Sequence, residues 1–373
     1  MGDGGVNTLA YLIYGSRRDY HLELTYSVLS AIHHRRSDDI DVRIALVTDA
    51  SNQRHDLPVE HVVFTPLEFA QWTRGGQYHH EAKIHALKKA LDVFEGKVVL
   101  VDTDTFFNVS PATLFERIAP ERSLMHAYEA DLGNDRLLSP ILKRLAGASV
   151  SYEVSPETRL FNSGVIGLDF ADRHLLGDVL VLLNQLYAIY PAFNIEQFAF
   201  SIVLDRRTSL RDCRDLVTHY YGHSRGFIRA QFADLFAEFS AERFREYASS
   251  LPKIEYYPGK GKLDLLKARI RSALRHQTAD YRFAYFACLS AQSNAVRSPA
   301  HANIWARVAV DLLRQNEFAI THVEQDFAAM KRLNANAWAD EDTKRAWNSF
   351  WGEVAEAKQR GQSRTNATSF EVA

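Results

Sequence analysis

The sequence predicts an α/β fold in which a mostly parallel sheet is covered by helices on both faces and followed by a helical C-terminal region. Short β-branched or aliphatic runs alternate with amphipathic segments through the first third of the 373 residues, and this alternation is typical of such a sheet. Beyond about residue 228 the pattern becomes helical. Hydrophobic residues make up 46% of the chain, which is enough for one large core or two smaller ones.

Apolar runs indicate the first strands, and amphipathic segments indicate the helices between them. The predicted strands cover residues 9–14, 42–48, 59–64 and 97–107. One helix is expected from an N-cap at Asp19 to about residue 36, and another from about residue 80 to about residue 95. Since parallel strands end at a common edge, Tyr14, Asp49 and Asp102 should lie together where open α/β sheets bind ligands.

Composition and charge exclude several classes of protein. The formal net charge is −2, from 44 basic and 46 acidic residues, so no nucleic-acid partner is expected. The two cysteines, Cys213 and Cys288, stand outside any Cys/His cluster, which excludes a disulfide framework or a structural zinc site. No stretch reaches about eighteen apolar residues, so neither a membrane span nor a signal peptide is predicted. We therefore expect a cytoplasmic protein and leave its oligomeric state open.

A pair of carboxylates, Asp102 and Asp104, ends the most apolar predicted strand, with Thr103 between them. Such a pair is costly to place there unless a cation lies beside it, and carboxylate oxygens suit Mg²⁺ or Mn²⁺. In one interpretation the metal neutralises the diphosphate of a nucleotide sugar, which leaves as the sugar passes to an acceptor.

Two other interpretations of this motif stay open. The sequence DTDT at 102–105 also has the form of the nucleophile loop of a haloacid-dehalogenase-type phosphatase, with Asp102 as the nucleophile. That loop is expected near the start of its fold, before a downstream acidic pair, whereas here about a hundred residues precede it and no Asp-Asp pair follows. Alternatively, a non-catalytic protein of the same fold would bind a nucleotide sugar without transferring it.

Three later motifs follow the carboxylate pair in order: FNSG at 161–164, IEQ at 195–197 and THYYG at 218–222. With Lys83 and VDTD at 101–104, they resemble the GT-A glycosyltransferases, most closely the retaining, DxD-containing glycogenin and bacterial galactosyltransferase-like family. The likeness covers roughly residues 8–226. It implies a Rossmann-like GT-A fold with a mixed sheet. It also implies transfer of a sugar from a nucleotide diphosphate donor, UDP by preference, to a glycan, lipid-linked or protein acceptor.

The resemblance also implies a metal ligand set. Asp102, Asp104 and His219 match the family's ligands, and His223, four residues later, is the alternative to His219. Imidazole is an acceptable ligand for Mn²⁺, so manganese is favoured over magnesium.

The nucleotide sugar is expected, by the same resemblance, on residues at several strand ends. Tyr14 would stack on the base and Gly15 would permit close backbone approach. Asp49 would bind a pyrimidine ring or else cap the next segment, and Arg17 or Arg18 would reach a phosphate. The full set of expected donor contacts is Tyr14, Gly15, Arg17, Asp49, Lys83, Asp102, Thr103, Asn162, Ser163 and Arg225.

Other members of the donor set carry expectations of their own. Lys83 would lie over the nucleotide or sugar, or else be an exposed helix lysine. Asn162 and Ser163 would allow a hexose ring to pass close to the backbone, or else mark a β-bulge. Arg225 stands where the family has a lysine and would take over its diphosphate contact.

The catalytic group is expected among acidic and amide side chains near the anomeric carbon. Glu196 and Gln197 match the family's Asp-Gln pair, with Glu in place of Asp. Glu129 and Asp131 form a second acidic pair that would bind sugar hydroxyls or supply a base. The resemblance is to retaining enzymes, but the sequence leaves a retaining or inverting outcome open.

Three parts of the chain are expected: a catalytic domain over 1–227, a helical region over 228–355 and a disordered tail over 356–373. In the helical region, segment 260–276 places Leu263, Leu266, Ile270 and Leu274 on one helical face. We expect that face to pack on the core, with peripheral membrane contact as the alternative. The tryptophans Trp305, Trp338, Trp347 and Trp351 form an acceptor platform or pack the helices together.

Overall fold

The computed structural model describes residues 6–37, 39–145, 147–256, 262–274, 279–315, 327 and 339–359. These residues form two compact units. The first contains residues up to 220 together with 238–252, and the second contains 221–237 and the described residues from 253 onward. The division therefore lies a few residues before the expected domain boundary at 227, and one later segment belongs to the first unit.

A mixed seven-stranded sheet, in the order β3-β2-β1-β4-β7-β6-β8, forms the centre of the first unit, and β5 and β9 form a separate two-stranded sheet. The strands are β1 Asn7–Ile13, β2 Val42–Thr48, β3 Glu60–Val63, β4 Val98–Val101, β5 Thr105–Phe107, β6 Leu124–Asp131, β7 Arg159–Leu168, β8 Arg211–Asp212 and β9 Val217–His219. Strands β3, β2, β1 and β4 are parallel, while β7 is antiparallel to both of its neighbours. The expected mixed, mostly parallel α/β sheet is confirmed.

Helices cover both faces of this sheet. On one face Ala10 of β1 belongs to the same buried cluster as Ile84 and Leu87. The next residue, Tyr11, points the other way and its hydroxyl lies 2.9 Å from Ser27 Oγ. The described residues of the first unit form the helices α1 Arg18–His33, α2 Pro66–Trp72, α3 Ala82–Phe94, α4 Ala112–Glu116, α5 Ile141–Leu145, α6 Leu175–Ile189, α7 Ile195–Arg207 and α9 Ala241–Ser249. Those of the second unit form α8 His223–Leu235, α10 Lys262–Leu274, α11 Ala279–Asn294, α12 Pro299–Gln315 and α13 Glu341–Gln359.

The predicted strand 97–107 is wrong as a single element. Strand β4 ends at Val101, and the chain turns through the carboxylate motif before β5 pairs antiparallel with β9 in the second sheet. The turn is closed by Thr105 Oγ1, which donates to the Asp102 carbonyl at 2.7 Å. Both halves are buried, so the hydrophobicity on either side of the motif does not distinguish two strands from one.

The predicted N-cap of the first helix is also wrong. Helix α1 begins at Arg18 with Arg17 as its N-cap residue, and no side chain caps it. Asp19 lies in the first turn, where its carboxylate accepts from Arg17 at 2.7 Å.

Aromatic side chains pack the second unit. Trp305 is completely buried in a cluster that also contains Trp347 and Trp351, so these three tryptophans pack the helices together. Trp338 lies outside the described residues.

The apolar face predicted to pack on the core points outward instead. Leu263, Leu266, Ile270 and Leu274 of α10 are 53–73% exposed, because Ala268 and Ser272 form the buried side of this helix. Helix α13 extends to Gln359, four residues into the expected tail, and residues 360–373 lie outside the described part of the chain. Within the described residues, we find no helix with the length and apolar character needed to cross a membrane.

Close packing at Gly167 in β7 provides a test of this sheet. A Cβ added there would come within 2.6 Å of Ile118 Cδ1 and 3.1 Å of Leu124 Cβ. We expect Gly167→Ala to lower the free energy of unfolding by about 1–3 kcal/mol in urea denaturation. Gly177 on the exposed side of α6 has nothing within 4 Å of such a Cβ. The matched change Gly177→Ala should raise stability by about 0.5–1 kcal/mol, and equal effects of the two changes would contradict the packing.

Candidate metal and donor site

The carboxylate motif lies where the parallel strands end. Strands β1, β2 and β4 run side by side in the same direction, so the residues that follow them share one edge. The backbone N–H of Asp102 donates to the Gly164 carbonyl at 2.8 Å, which extends the β4–β7 pairing by one residue. This bond fixes the motif against the Asn-Ser-Gly segment of β7.

Pairing of β5 with β9 brings His219 to the motif. Thr105 lies opposite His219 in this ladder, and the Tyr220 N–H donates to the Asp104 carbonyl at 3.0 Å. One ligand atom from each of Asp102, Asp104 and His219 lies within 4.8 Å of the others. Asp104 is 5% exposed, and its Oδ1 lies 3.3 Å from His219 Nε2.

Asn162 determines which ring nitrogen of His219 carries the proton. Asn162 Oδ1 accepts from the Gly164 N–H at 2.9 Å and lies 2.8 Å from His219 Nδ1. Because this oxygen is an acceptor, Nδ1 must be the donor of that bond. In the neutral ring the lone pair is therefore on Nε2, the nitrogen that faces Asp104.

Glu129 in turn holds the Asn162 amide. Its Oε1 accepts from Asn162 Nδ2 at 3.0 Å, and its Oε2 accepts from Gln197 Nε2 at 2.9 Å. Gln197 Oε1 then accepts from the Ser163 N–H at 3.2 Å. A hydrogen-bonded chain thus links the IEQ motif, the FNSG motif and the imidazole, whereas the sequence predicted for Glu129 a contact with sugar hydroxyls or the role of a base.

Gly164 is required by the close approach of the imidazole. A Cβ at this position would overlap the His219 ring and come within 2.9 Å of Asn162 Oδ1. The glycine of FNSG therefore makes room for His219.

This donor set fits a divalent cation. A neutral imidazole would point the lone pair of Nε2 at an anionic oxygen of Asp104, 3.3 Å away, and a cation between the two removes that repulsion. Two carboxylates and one imidazole are ligands that Mn²⁺ accepts and Mg²⁺ accepts less readily. The hydrogen bond from His219 Nδ1 to Asn162 also orients the imidazole ring, as is usual for histidines that bind a metal.

Lys83 is a charged partner of the site. Its Nζ donates to Asp102 Oδ2 at 2.7 Å, and its side chain is 16% exposed. Burial lowers the pKa of Lys83, but the carboxylates of Asp102 and Glu196 outweigh burial and raise that pKa above its ordinary value. The alternative of an exposed helix lysine is therefore wrong.

Glu196 is a buried carboxyl beside this lysine. It is 1% exposed, and its Oε1 has no hydrogen-bond partner among the described residues. Burial raises the pKa of Glu196, although the positive charge of Lys83 opposes that rise. The acid of the IEQ motif is thus in the site, whereas Gln197 reaches it through Glu129.

Tyr14 lies in an aromatic cluster at the end of β1. Its ring centroid is 4.6 Å from that of Phe69 and 5.9 Å from that of His79, with which it is stacked. Neither ring nitrogen of His79 has a hydrogen-bond partner in the described structure. Sequence reasoning missed His79, although the pair His79-His80 just before the helix of Lys83 was a signal for it.

Asp49 acts as a cap. Its carboxylate accepts from the Ser51 N–H at 2.8 Å and from Asn52 Nδ2 at 2.7 Å. This is the second of the two roles expected for it, and contact with a base stays a prediction.

Gly15 and Arg17 follow β1 at the same edge. Gly15 has φ of 75°, which favours glycine, and its carbonyl lies 3.1 Å from His21 Nε2. Arg17 is paired with Asp19, so a phosphate contact of Arg17 stays a prediction.

Four other expected residues are not joined to the site by these contacts. Asp131 accepts from the Tyr128 hydroxyl at 3.0 Å, and Thr103 is buried within the turn. Arg225 belongs to the second unit. The side chain of His223 lies outside the described part of the chain.

Comparisons with known proteins return structural resemblances only. No protein-family model matches the chain, and no curated protein matches it. An active-site mutant of LgtC is 16% identical over 66% of this chain and 97% of its own, with a TM-score of 0.40. Mouse xyloside xylosyltransferase 1 is 13% identical over 56% and 84%, with a TM-score of 0.39. The bifunctional glycosyltransferase WbbM is 12% identical over 67% and 52%, with a TM-score of 0.42. Likenesses of this size are too remote to assign a function.

The chain of hydrogen bonds predicts an effect of Glu129 on metal affinity. In Glu129→Gln, one carboxylate oxygen is replaced by an NH₂ group. That group would face the NH₂ group of either Asn162 or Gln197, so the hydrogen bond to one of these two residues is lost. We expect Mn²⁺ affinity, measured by isothermal titration calorimetry, to fall about tenfold or more. Glu60→Gln, which makes the same change at an exposed carboxylate of β3, should leave it unchanged.

Exchanging the side chains at positions 129 and 197 distinguishes the loss of a hydrogen bond from a general disruption of the structure. Glu129→Gln combined with Gln197→Glu restores an acceptor for Asn162 Nδ2, an acceptor for the Ser163 N–H and a donor between positions 129 and 197. Mn²⁺ affinity should therefore recover in the double variant. If the double variant binds Mn²⁺ as poorly as the single variant, the order of hydrogen bonds described here is wrong.

Proposed function

We propose that this chain is a metal-dependent glycosyltransferase of the GT-A type, moving a sugar from a nucleotide diphosphate donor to an acceptor. The observation that carries the proposal is the convergence of Asp102, Asp104 and His219 at the sheet edge. The FNSG and IEQ motifs are hydrogen-bonded into the same site. Together with these three ligands, they are the motifs that resemble the GT-A glycosyltransferases.

Each part of the site has a role in this reaction. Asp102, Asp104 and His219 would hold the divalent ion, for which Mn²⁺ is our choice, and the ion would stabilise the diphosphate as a leaving group. Lys83 carries a positive charge beside Asp102 and would bind an anionic donor oxygen. We assign the base and ribose, with UDP as the preferred nucleotide, to the strand ends at Tyr14, Gly15 and Asp49.

Glu196 and Gln197 are our candidates for the sugar side of the site. Glu196 Oε1, which has no hydrogen-bond partner among the described residues, is suited to accept a hydrogen bond from a hydroxyl of the donor sugar. Gln197 keeps its amide oxygen on the Ser163 N–H, so this amide would be positioned rather than free to rotate. A glycan, lipid-linked or protein acceptor fits the proposal, and we place the enzyme in the cytoplasm.

The phosphatase interpretation has less support. It expects a second acidic pair close to the Asp102 carboxylate, to hold a metal beside the nucleophile. The His/Cys/Asp/Glu group found there, within the described residues, contains His219 instead. An imidazole oriented by an amide oxygen is typical of a metal ligand. Its presence beside the motif favours Asp102 and Asp104 as two metal ligands over Asp102 as a nucleophile.

Nucleotide binding in the presence and absence of metal tests the proposal. We expect UDP to raise the melting temperature only with Mn²⁺, and EDTA to abolish the shift, because the ion bridges protein and diphosphate. No shift with any nucleoside diphosphate, with or without Mn²⁺, would contradict the proposal.

Asp104→Asn should remove both the nucleotide-dependent shift and sugar transfer, since it replaces one anionic ligand. We expect a loss in transfer of at least about a hundredfold with an intact fold by circular dichroism. Asp92→Asn makes the same change in an exposed ion pair of α3 and serves as the control. Full activity of the Asp104 variant would show that the ion binds elsewhere.

A further inference from the structure

Helix α10 presents an apolar stripe to solvent. Its four members have exposed fractions of 73% for Leu263, 53% for Leu266, 54% for Ile270 and 71% for Leu274. These residues recur every three or four positions, so they form one continuous face about 17 Å long. Four large aliphatic side chains on one exposed helix face are unusual for a surface that contacts only water.

The opposite side of the helix explains why the stripe faces outward. Ala268 is completely buried and Ser272 is 7% exposed. Leu265, on the same side, packs against the aromatic core of the second unit. Small and aliphatic residues therefore attach the helix to the protein, and its larger aliphatic residues are left for another contact.

Basic residues flank the stripe on both sides. The helical repeat places Lys267 along one border and Lys262 and Arg269 along the other, and all three side chains are exposed. The helix has one acidic residue, Asp264, whose side chain is 13% exposed and accepts from Ser293 Oγ at 2.9 Å. Its other oxygen lies 3.9 Å from Lys267 Nζ, and the Lys267 side chain stays 65% exposed. The outward surface of α10 is thus an aliphatic strip with positive charge on both borders.

We propose that α10 binds the surface of an anionic phospholipid membrane, with the stripe inserted at the level of the headgroups. Aliphatic side chains enter the boundary between headgroups and acyl chains, while lysine and arginine reach the lipid phosphates. This proposal is independent of the proposed sugar transfer.

A second copy of the chain is a less suitable partner for the same surface. A two-fold interface through the stripe would place the flanking cations of one helix near those of the other. Like charges at such a short distance repel, whereas a phosphate-rich surface offers negative charge along both borders.

Flotation of the full-length protein with lipid vesicles tests the proposal. We expect binding to vesicles of phosphatidylcholine mixed with phosphatidylglycerol, weaker binding to phosphatidylcholine alone, and a decrease with added NaCl. Failure of the protein to bind the mixed vesicles would overturn the proposal.

Paired substitutions locate the contact. Leu266→Gln combined with Ile270→Gln should lower vesicle partitioning about tenfold or more, because both side chains lose their burial in lipid. Lys267→Gln combined with Arg269→Gln should lower it by about twenty-five-fold, since each cation accounts for about fivefold. All four side chains point to solvent, so circular dichroism and melting temperature should be unchanged.

Matched changes elsewhere serve as controls. Leu67→Gln replaces a leucine that is 70% exposed on α2, and Lys88→Gln replaces an exposed lysine on α3. Neither should alter partitioning. Equal losses from the control and stripe variants would overturn the proposal. So would concentration-dependent dimerisation that Leu266→Gln abolishes without any vesicle binding by the wild type, because the stripe would then bind a second copy.

Discussion

The antiparallel pairing of β5 with β9 is the contact on which the candidate site depends. It places His219 opposite Thr105, immediately after the turn that contains the two aspartates. Without this pairing the two carboxylates would end a strand with no imidazole beside them. The Tyr220 N–H on the Asp104 carbonyl secures the same arrangement from the other strand.

Hydrogen bonding through side-chain amides gives the site its order. The two ends of the Asn162 amide cannot be interchanged, because one meets the Gly164 N–H and the other meets a carboxylate oxygen. The orientation of this amide then determines the tautomer of His219, because Asn162 Oδ1 accepts from Nδ1. Networks of this kind are costly when half satisfied, and here a single carboxylate, Glu129, satisfies two donors at once.

Much of the sheet was predictable because its strands are continuous apolar runs with turn residues at their ends. The break within 97–107 was not, since both halves are equally apolar and the second half pairs with a strand about a hundred residues later. The position of the site followed from the edge rule for parallel strands. The link through Glu129 depends on side-chain directions across three elements, which one sequence does not specify.

The direction in which the α10 stripe faces could also not be predicted from the sequence. Periodicity identified Leu263, Leu266, Ile270 and Leu274 as one face, but it could not decide whether that face meets protein or solvent. The answer came from Ala268 and Ser272, small residues whose burial allows the helix to approach the core closely. A larger residue is therefore not always the buried one when a helix packs against an aromatic core.

The ion pair between Lys83 and Asp102 also affects how the acidic turn is held in the fold. Asp102 has an ammonium group 2.7 Å away, and Asp104 Oδ1 lies 3.3 Å from His219 Nε2. Lys83 therefore supplies a positive charge to the acidic turn from within the fold. We expect the scaffold to stay folded when the proposed cation is removed, unlike small domains that are unfolded without their ion.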